Sequence, residues 1–175
     1  MKEKSEYVPS NFDKAVEVVF LHEGGYINHP NDPGGETKYG ISKRAYPNED
    51  IKNLTKERAK EIYKENYWDK IKGDEIRPYL IALQTFDIAV NSGVYRASKL
   101  LQLSLNKIGA HLVVDGIIGK NTLKVINALS FDEIIELNNT MVEMRIAFYD
   151  GLIKENPKLA VFRKGWIRRA EHFKV

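Results

Sequence analysis

Residues 22–42 read His22-Glu23-Gly24-Gly25-Tyr26-Ile27-Asn28-His29-Pro30-Asn31-Asp32-Pro33-Gly34-Gly35-Glu36-Thr37-Lys38-Tyr39-Gly40-Ile41-Ser42. Five glycines and two prolines fall between positions 24 and 40, a density that no regular helix survives. A stretch this long without regular structure inside a compact chain is usually functional, so it is read as a long ordered loop or a short hairpin. Immediately before it, Phe12, Ala15, Val16, Val19 and Phe20 follow i, i+3, i+4 spacing and predict a helix with one buried face. Ser10 or Asn11 can cap that helix, and Asp13 suits its positive N-terminal end. Gly24-Gly25 stops it, which leaves Glu23 in the last helical turn, at the mouth of the loop.

The chain beyond the loop reads as helices joined by Gly, Pro and Asn punctuation. A short helix is predicted over Ser42 to Ala45, halted by Pro47. Thr55 caps the next, with Ala59, Ile62, Tyr63 and the pair Asn66-Tyr67 on its inward face. Pro78 opens an apolar helix through Leu80, Leu83, Phe86, Asp87 and Val90 that Gly93 breaks. Ala97, Leu100, Leu101, Ser104, Leu105 and Ile108 repeat the period up to Gly109. Asp115-Gly116 is a turn before a helix from about Lys120 to Leu129, and Ser130 with Glu133 forms a capping-box pattern ahead of a long helix through Phe148. Pro157 starts a last helix carrying Trp166. No run shows sustained strand alternation, so the class is mainly α, with at most a small β element in the glycine-rich loop. The natural division lies near Asn91 to Tyr95. Asn-Ser-Gly is a turn and not a tether, so two packed lobes are expected, residues 1–92 and 93–175, with a substrate cleft between them.

Composition narrows the function. With no cysteine, disulfides, cysteine-rich zinc sites and thiol nucleophiles are excluded. The net charge of +3 is too small to argue for nucleic acid. From Lys154 onward seven cations (Lys154, Lys158, Arg163, Lys164, Arg168, Arg169, Lys174) face only Glu155 and Glu171. Such a run is a solvated helix face or an attractor for an anionic polymer, and both readings stand. Met1 to Asn11 is polar and lacks an apolar signal core, and the longest apolar stretches, such as Val18 to Leu21, are far too short to span a bilayer. The expectation is a soluble protein made in the cytoplasm, without an integral membrane segment, that reaches any external substrate by another route.

Glu23 carries the chemistry. The last turn of a helix presents unpaired carbonyls and partial negative charge, which disfavours an ionised carboxylate. Apolar neighbours such as Leu21 and Tyr26 are expected to add desolvation, and both effects suit a general acid working near neutrality. Asp32, nine residues on, reads as a turn-maker in Asn-Asp-Pro-Gly-Gly and also as a second carboxylate returning towards Glu23. Glycoside hydrolysis needs two carboxyls: one protonates the leaving oxygen, and the other activates water or stabilises charge at the sugar carbon. Thr37 can help to hold the water through its hydroxyl. Gly34, Gly35 and Gly40 let backbone approach substrate closely. Tyr26, Tyr39 and Tyr46 offer flat faces with polar tips, suited to sugar rings or to ordinary packing.

Glu23-Gly-Gly-Tyr26 followed by Asn31-Asp-Pro-Gly-Gly-Glu-Thr-Lys-Tyr-Gly-Ile-Ser42 resembles the signature of glycoside hydrolase family 108. These are bacterial and phage N-acetylmuramidases of lysozyme, endolysin or secretion-activator type. The likeness continues through Tyr46-Pro47, Tyr63 to Trp68 and Asp87-Ile-Ala-Val-Asn-Ser-Gly93. Ala97 to Leu103 and Val114-Asp-Gly-Ile-Ile-Gly-Lys-Asn-Thr122 resemble the family's C-terminal peptidoglycan-binding region. The resemblance implies a lysozyme-like two-lobed helical fold, bacterial peptidoglycan as partner, no cofactor or metal, and a monomer. It places the catalytic glutamate on Glu23. The Glu, Asp, Thr arrangement also resembles phage-type lysozymes, which suggests Asp32 and Thr37 as partners, although here the threonine follows the aspartate slightly sooner. By the same analogy Asn91 contacts substrate; it reads equally as a turn residue.

Two rivals differ in class. A zinc peptidase or amidase would use His22-Glu23, yet position 26 is tyrosine where a His-Glu-x-x-His helix needs histidine, and two glycines interrupt it. His22, His29, Asp32 and His111 supply ligands in number but not in a recognised spacing. A non-catalytic module binding cell wall or another polyanion would use the basic C-terminal helix, and would leave the loop from Glu23 to Thr37 without a purpose.

Overall fold

The computed structural model describes residues 7–28 and 35–175. These form seven α-helices and one two-stranded antiparallel sheet, so the chain is mainly α. It divides into two compact units, Met1–Trp68 and Asp69–Val175.

In the first unit, α1 (Asn11–Glu23) starts at a complete capping box. The Ser10 side chain accepts from the Asp13 N–H at 3.1 Å, and the Asp13 carboxylate accepts from the Ser10 N–H at 3.0 Å. Phe12, Ala15, Val16 and Val19 are its buried face. Gly24, with φ 74°, ends the helix and returns its N–H to the Phe20 carbonyl at 3.2 Å. Strands β1 (Thr37–Lys38) and β2 (Ile41–Ser42) pair in the register Thr37↔Ser42 and Lys38↔Ile41, and Ile27 adds a bridge to Thr37. The short helix expected over Ser42 to Ala45 is instead a strand end and a turn. The Ser42 hydroxyl takes the Ala45 N–H and its carbonyl takes the Tyr46 N–H, which closes the chain locally without propagation.

Helix α2 (Lys56–Tyr63) is capped by Thr55 as the sequence predicts, then runs directly into a π-helical turn, Lys64–Trp68. A π-turn has about five residues per repeat of its hydrogen bonding, against four in an α-helix. Tyr63 and Trp68, five apart, are therefore both buried, with Trp68 packed on Phe12 at 5.7 Å between ring centroids. A 3.6-residue period had pointed to Asn66-Tyr67 as the inward pair, whereas Asn66 is exposed.

The second unit is built on α3 (Tyr79–Ser92), in which every residue from Ile81 to Ala89 is buried. A helix buried on all sides is the centre of its core. Helices α4 (Val94–Lys107) and α6 (Phe131–Glu155) pack on it and on each other, and α7 (Arg163–Glu171) packs on α6. Helix α5 (Lys120–Asn127) ends two residues before the expected Leu129, in tighter turns at Ala128 and Leu129. The predicted capping box of α6 is present, with Ser130 and Glu133 reciprocally bonded. Pro157 opens a 3₁₀ segment to Phe162, which leads into α7.

Candidate active site

The hairpin turn β1–β2 is the structural partner of Glu23. Its two loop residues, Tyr39 and Gly40, both have positive φ (52° and 76°), as a type I′ turn requires and as matches the twist of the strands. Glycine at position 40 is demanded twice over. A Cβ there would stand 2.8 Å from both Cγ and Oε2 of Glu23, and nearer still to the Tyr63 hydroxyl. The carboxyl of Glu23 and the phenol of Tyr63 thus converge on the space of one methyl group above the turn backbone.

Tyr39 has a Cβ and adopts left-handed backbone at a cost of about 1–2 kcal/mol. Two contacts hold it there. The Tyr63 hydroxyl donates to the Tyr39 carbonyl at 2.6 Å, and the Tyr39 ring packs on Phe20 at 5.4 Å. Phe20 in turn meets the edge of Tyr63 at 5.7 Å. The turn is therefore locked to α1 and α2 by three aromatic side chains, and Glu23 ends α1 half-buried beside it.

The glycine-rich segment is pinned at both ends. Ile27 and Thr37 exchange both backbone hydrogen bonds at 2.8 Å, the Lys43 N–H donates to the Glu36 carbonyl at 2.8 Å, and the Tyr26 hydroxyl donates to the Glu36 carboxylate at 3.1 Å. Desolvation and the Glu36 carboxylate both push the Tyr26 phenol up. Tyr26 is 42% exposed. Thr37 is half-buried on β1, in the strand that leads into the turn under Glu23. Asp32 and His29 lie outside the described residues.

The structure corrects one sequence expectation and adds to another. Leu21 is 84% exposed and cannot desolvate Glu23. Side chains two apart on a helix point to nearly opposite sides, so adjacency in sequence misled. Gly40, expected to let backbone approach substrate closely, has a further reason to be glycine in the close approach of Glu23 itself. Its signal was present as a two-residue Tyr-Gly step between Thr-Lys and Ile-Ser, a hairpin pattern. Tyr63 was read as core only, and Glu36 was not singled out. Tyr46 is half-buried, and its phenol is raised by burial and by the Tyr67 hydroxyl that it meets beside Asn66.

Asn91 belongs to the second unit. It sits in the last turn of α3, not in a turn after the helix, and its Oδ1 accepts from the Tyr149 hydroxyl at 2.6 Å and from the Ser92 hydroxyl at 3.1 Å. Tyr149 accepts from Arg145 Nε at 2.7 Å, and Arg145 donates to Asp87 at 2.6 Å. Asn91 thus terminates a chain of bonds that begins in the core. Among the described residues no group of three His, Asp or Glu side chains is arranged to hold a metal ion, and no helix is long and apolar enough to cross a membrane.

Residues 16–93 match the model of the family Glycosyl hydrolase 108, and residues 96–171 match that of the Predicted Peptidoglycan domain. No curated protein matches the chain significantly. Among solved structures, SagA of Brucella abortus is similar at 35% identity, covering 93% of this chain and 90% of that one, with a TM-score of 0.74. A lysozyme-like helical fold, the signature around Glu23 and a structural relative over nearly the full length agree: the chain belongs to glycosyl hydrolase family 108 and carries that family's domain together with a peptidoglycan-binding domain.

Proposed function

We propose that the chain is an N-acetylmuramidase, which hydrolyses the β-1,4 bond between N-acetylmuramic acid and N-acetylglucosamine in bacterial peptidoglycan. The observation that carries this reading is the placement of Glu23. It closes a helix against a hairpin turn that only glycine permits, inside the segment matching the glycosidase family. Glu23 protonates the leaving glycosidic oxygen, while Asp32 and Thr37 position the attacking water. Tyr26, Tyr39, Tyr46 and Asn91 contact the glycan. Residues 1–92 form the hydrolytic part and residues 93–175 the wall-binding part, supported by the extents of the two family matches. The enzyme works as a monomer, in the periplasm or outside the cell, where its substrate lies.

Digestion of purified sacculi followed by mass spectrometry tests the bond. New reducing ends on muramic acid are expected, and reducing glucosamine would make the protein a glucosaminidase. Water held by Asp32 predicts inversion at the anomeric carbon, which proton NMR of the first product reads directly. Retention would reassign Asp32 or remove it from the reaction.

A further inference from the structure

A candidate second site lies in the second unit, where the last helix of the glycosidase match meets the peptidoglycan-binding domain. Helices α3, α4 and α6 leave between them a groove of about 610 Å³, in the size range of ligand pockets. Its floor is apolar: Ile88, Leu100, Leu103 and Met144. Two aromatic rings flank it, each with a cation above its face. Arg96 lies 5.5 Å from the Phe148 centroid and Lys99 lies 5.9 Å from that of Tyr95. No carboxylate lines the groove, and the nearby Glu143 is already paired with Lys107 at 3.7 Å.

The exposed ring is held in place from behind. Tyr95 is 59% exposed, yet one side of it rests on the backbone of Gly116, where a Cβ would collide with the ring. Gly116, at φ 74°, is fixed by Gln102, whose buried side chain accepts the Asp115 and Gly116 N–H groups at 3.1 and 2.9 Å. The same side chain donates to Asp115, Ile117 and Thr122. A buried amide making five hydrogen bonds thus presets an aromatic side chain at the surface, as a binding site needs.

We propose that this groove binds the stem peptide of peptidoglycan, an inference that rests on the wall-directed reading above. Glycan recognition calls for carboxylates and amides to accept sugar hydroxyl protons, and the groove lining holds neither, its neutral polar groups being the Ser92 and Tyr95 hydroxyls. The stem peptide has the complementary character. Its alanine methyls suit the apolar floor, and its free carboxylates suit Arg96 and Lys99.

The test is a titration of the full chain with the free tetrapeptide L-alanyl-γ-D-glutamyl-diaminopimelyl-D-alanine, followed by methyl NMR. Saturable shifts at Ile88, Leu103 and Met144 are expected, and both Lys99→Glu and amidation of the peptide carboxylates should weaken binding about tenfold. Lys99 is exposed, so its substitution leaves the far-ultraviolet circular dichroism unchanged. Absent shifts, equal binding of the amidated peptide, or the same shifts from chitin oligosaccharides or anionic phospholipid vesicles would each overturn the proposal. Reducing-end release from glycan stripped of peptide reads the muramidase assignment separately. Hydrolysis without peptide binding removes the groove alone, and peptide binding without hydrolysis removes the muramidase alone.

Discussion

Glu23 and Asp87 are both carboxylates on helices, both inside the segment that matches the glycosidase family, and they are treated in opposite ways. Asp87 has no exposed side-chain surface. Arg145 donates to it at 2.6 Å and Arg169 at 2.9–3.1 Å. Burial pushes its pKa up, but the two guanidiniums prevail and hold it below the usual carboxylate range. It is a fixed anion at the centre of the second unit. Glu23 instead stands half-buried at a helix end, against glycine backbone and a phenol. The difference shows what burial and partners decide: one acid is committed to holding structure, and the other stands at a helix end where solvent still reaches it.

Substitution at each acid and around it separates the two roles. Glu23→Gln should lower turnover on sacculi by about 10³-fold, within the range for a lost general acid, with an unchanged melting temperature. Substantial residual turnover would move the acid elsewhere. Asp87→Ala should do the reverse, costing roughly 3–5 kcal/mol of stability because it strands the buried Arg145 and leaves the part-buried Arg169 without its carboxylate, as read by urea unfolding. An unaltered midpoint would show that the two guanidiniums find other partners.

Gly40→Ala should affect both quantities. Its Cβ displaces the Glu23 carboxyl and meets a φ that alanine resists, so turnover falls while stability drops by about 1 kcal/mol or more. Tyr63→Phe removes one hydrogen bond to the Tyr39 carbonyl and should cost about 1 kcal/mol, with a smaller loss of turnover than Gly40→Ala. The mildest probe is acid. A depressed Asp87 pKa contributes stability that is present above its unfolded value of about 3.9 and is lost as pH falls through the lower folded value. The urea midpoint of the wild type should therefore fall more steeply below about pH 4 than that of Asp87→Asn.

Much of this was legible because it is local. Ser10, Thr55 and Ser130 cap their helices through bonds three residues away, and Gly24 and Gly93 stop theirs by backbone angle alone. The place of Glu23 in the last turn of α1 was legible from a periodic run that stops at a glycine pair. What stayed hidden depends on distant partners. The Tyr149 hydroxyl that occupies Asn91 lies 58 positions away, and the Tyr63 hydroxyl that fixes the turn lies 24 away. Periodicity also fails where the helix itself changes, as it does after Tyr63.

The π-turn at Lys64–Trp68 bears on how this protein can change over evolutionary time. It holds one residue more than an α-helical path between the same ends would need, so the segment is overlong by one position for the distance it spans. Loss of any one residue there would let the helix relax and swing the Trp68 indole by about 100° out of its seat on Phe12. The length of this stretch is thus pinned by one indole ring.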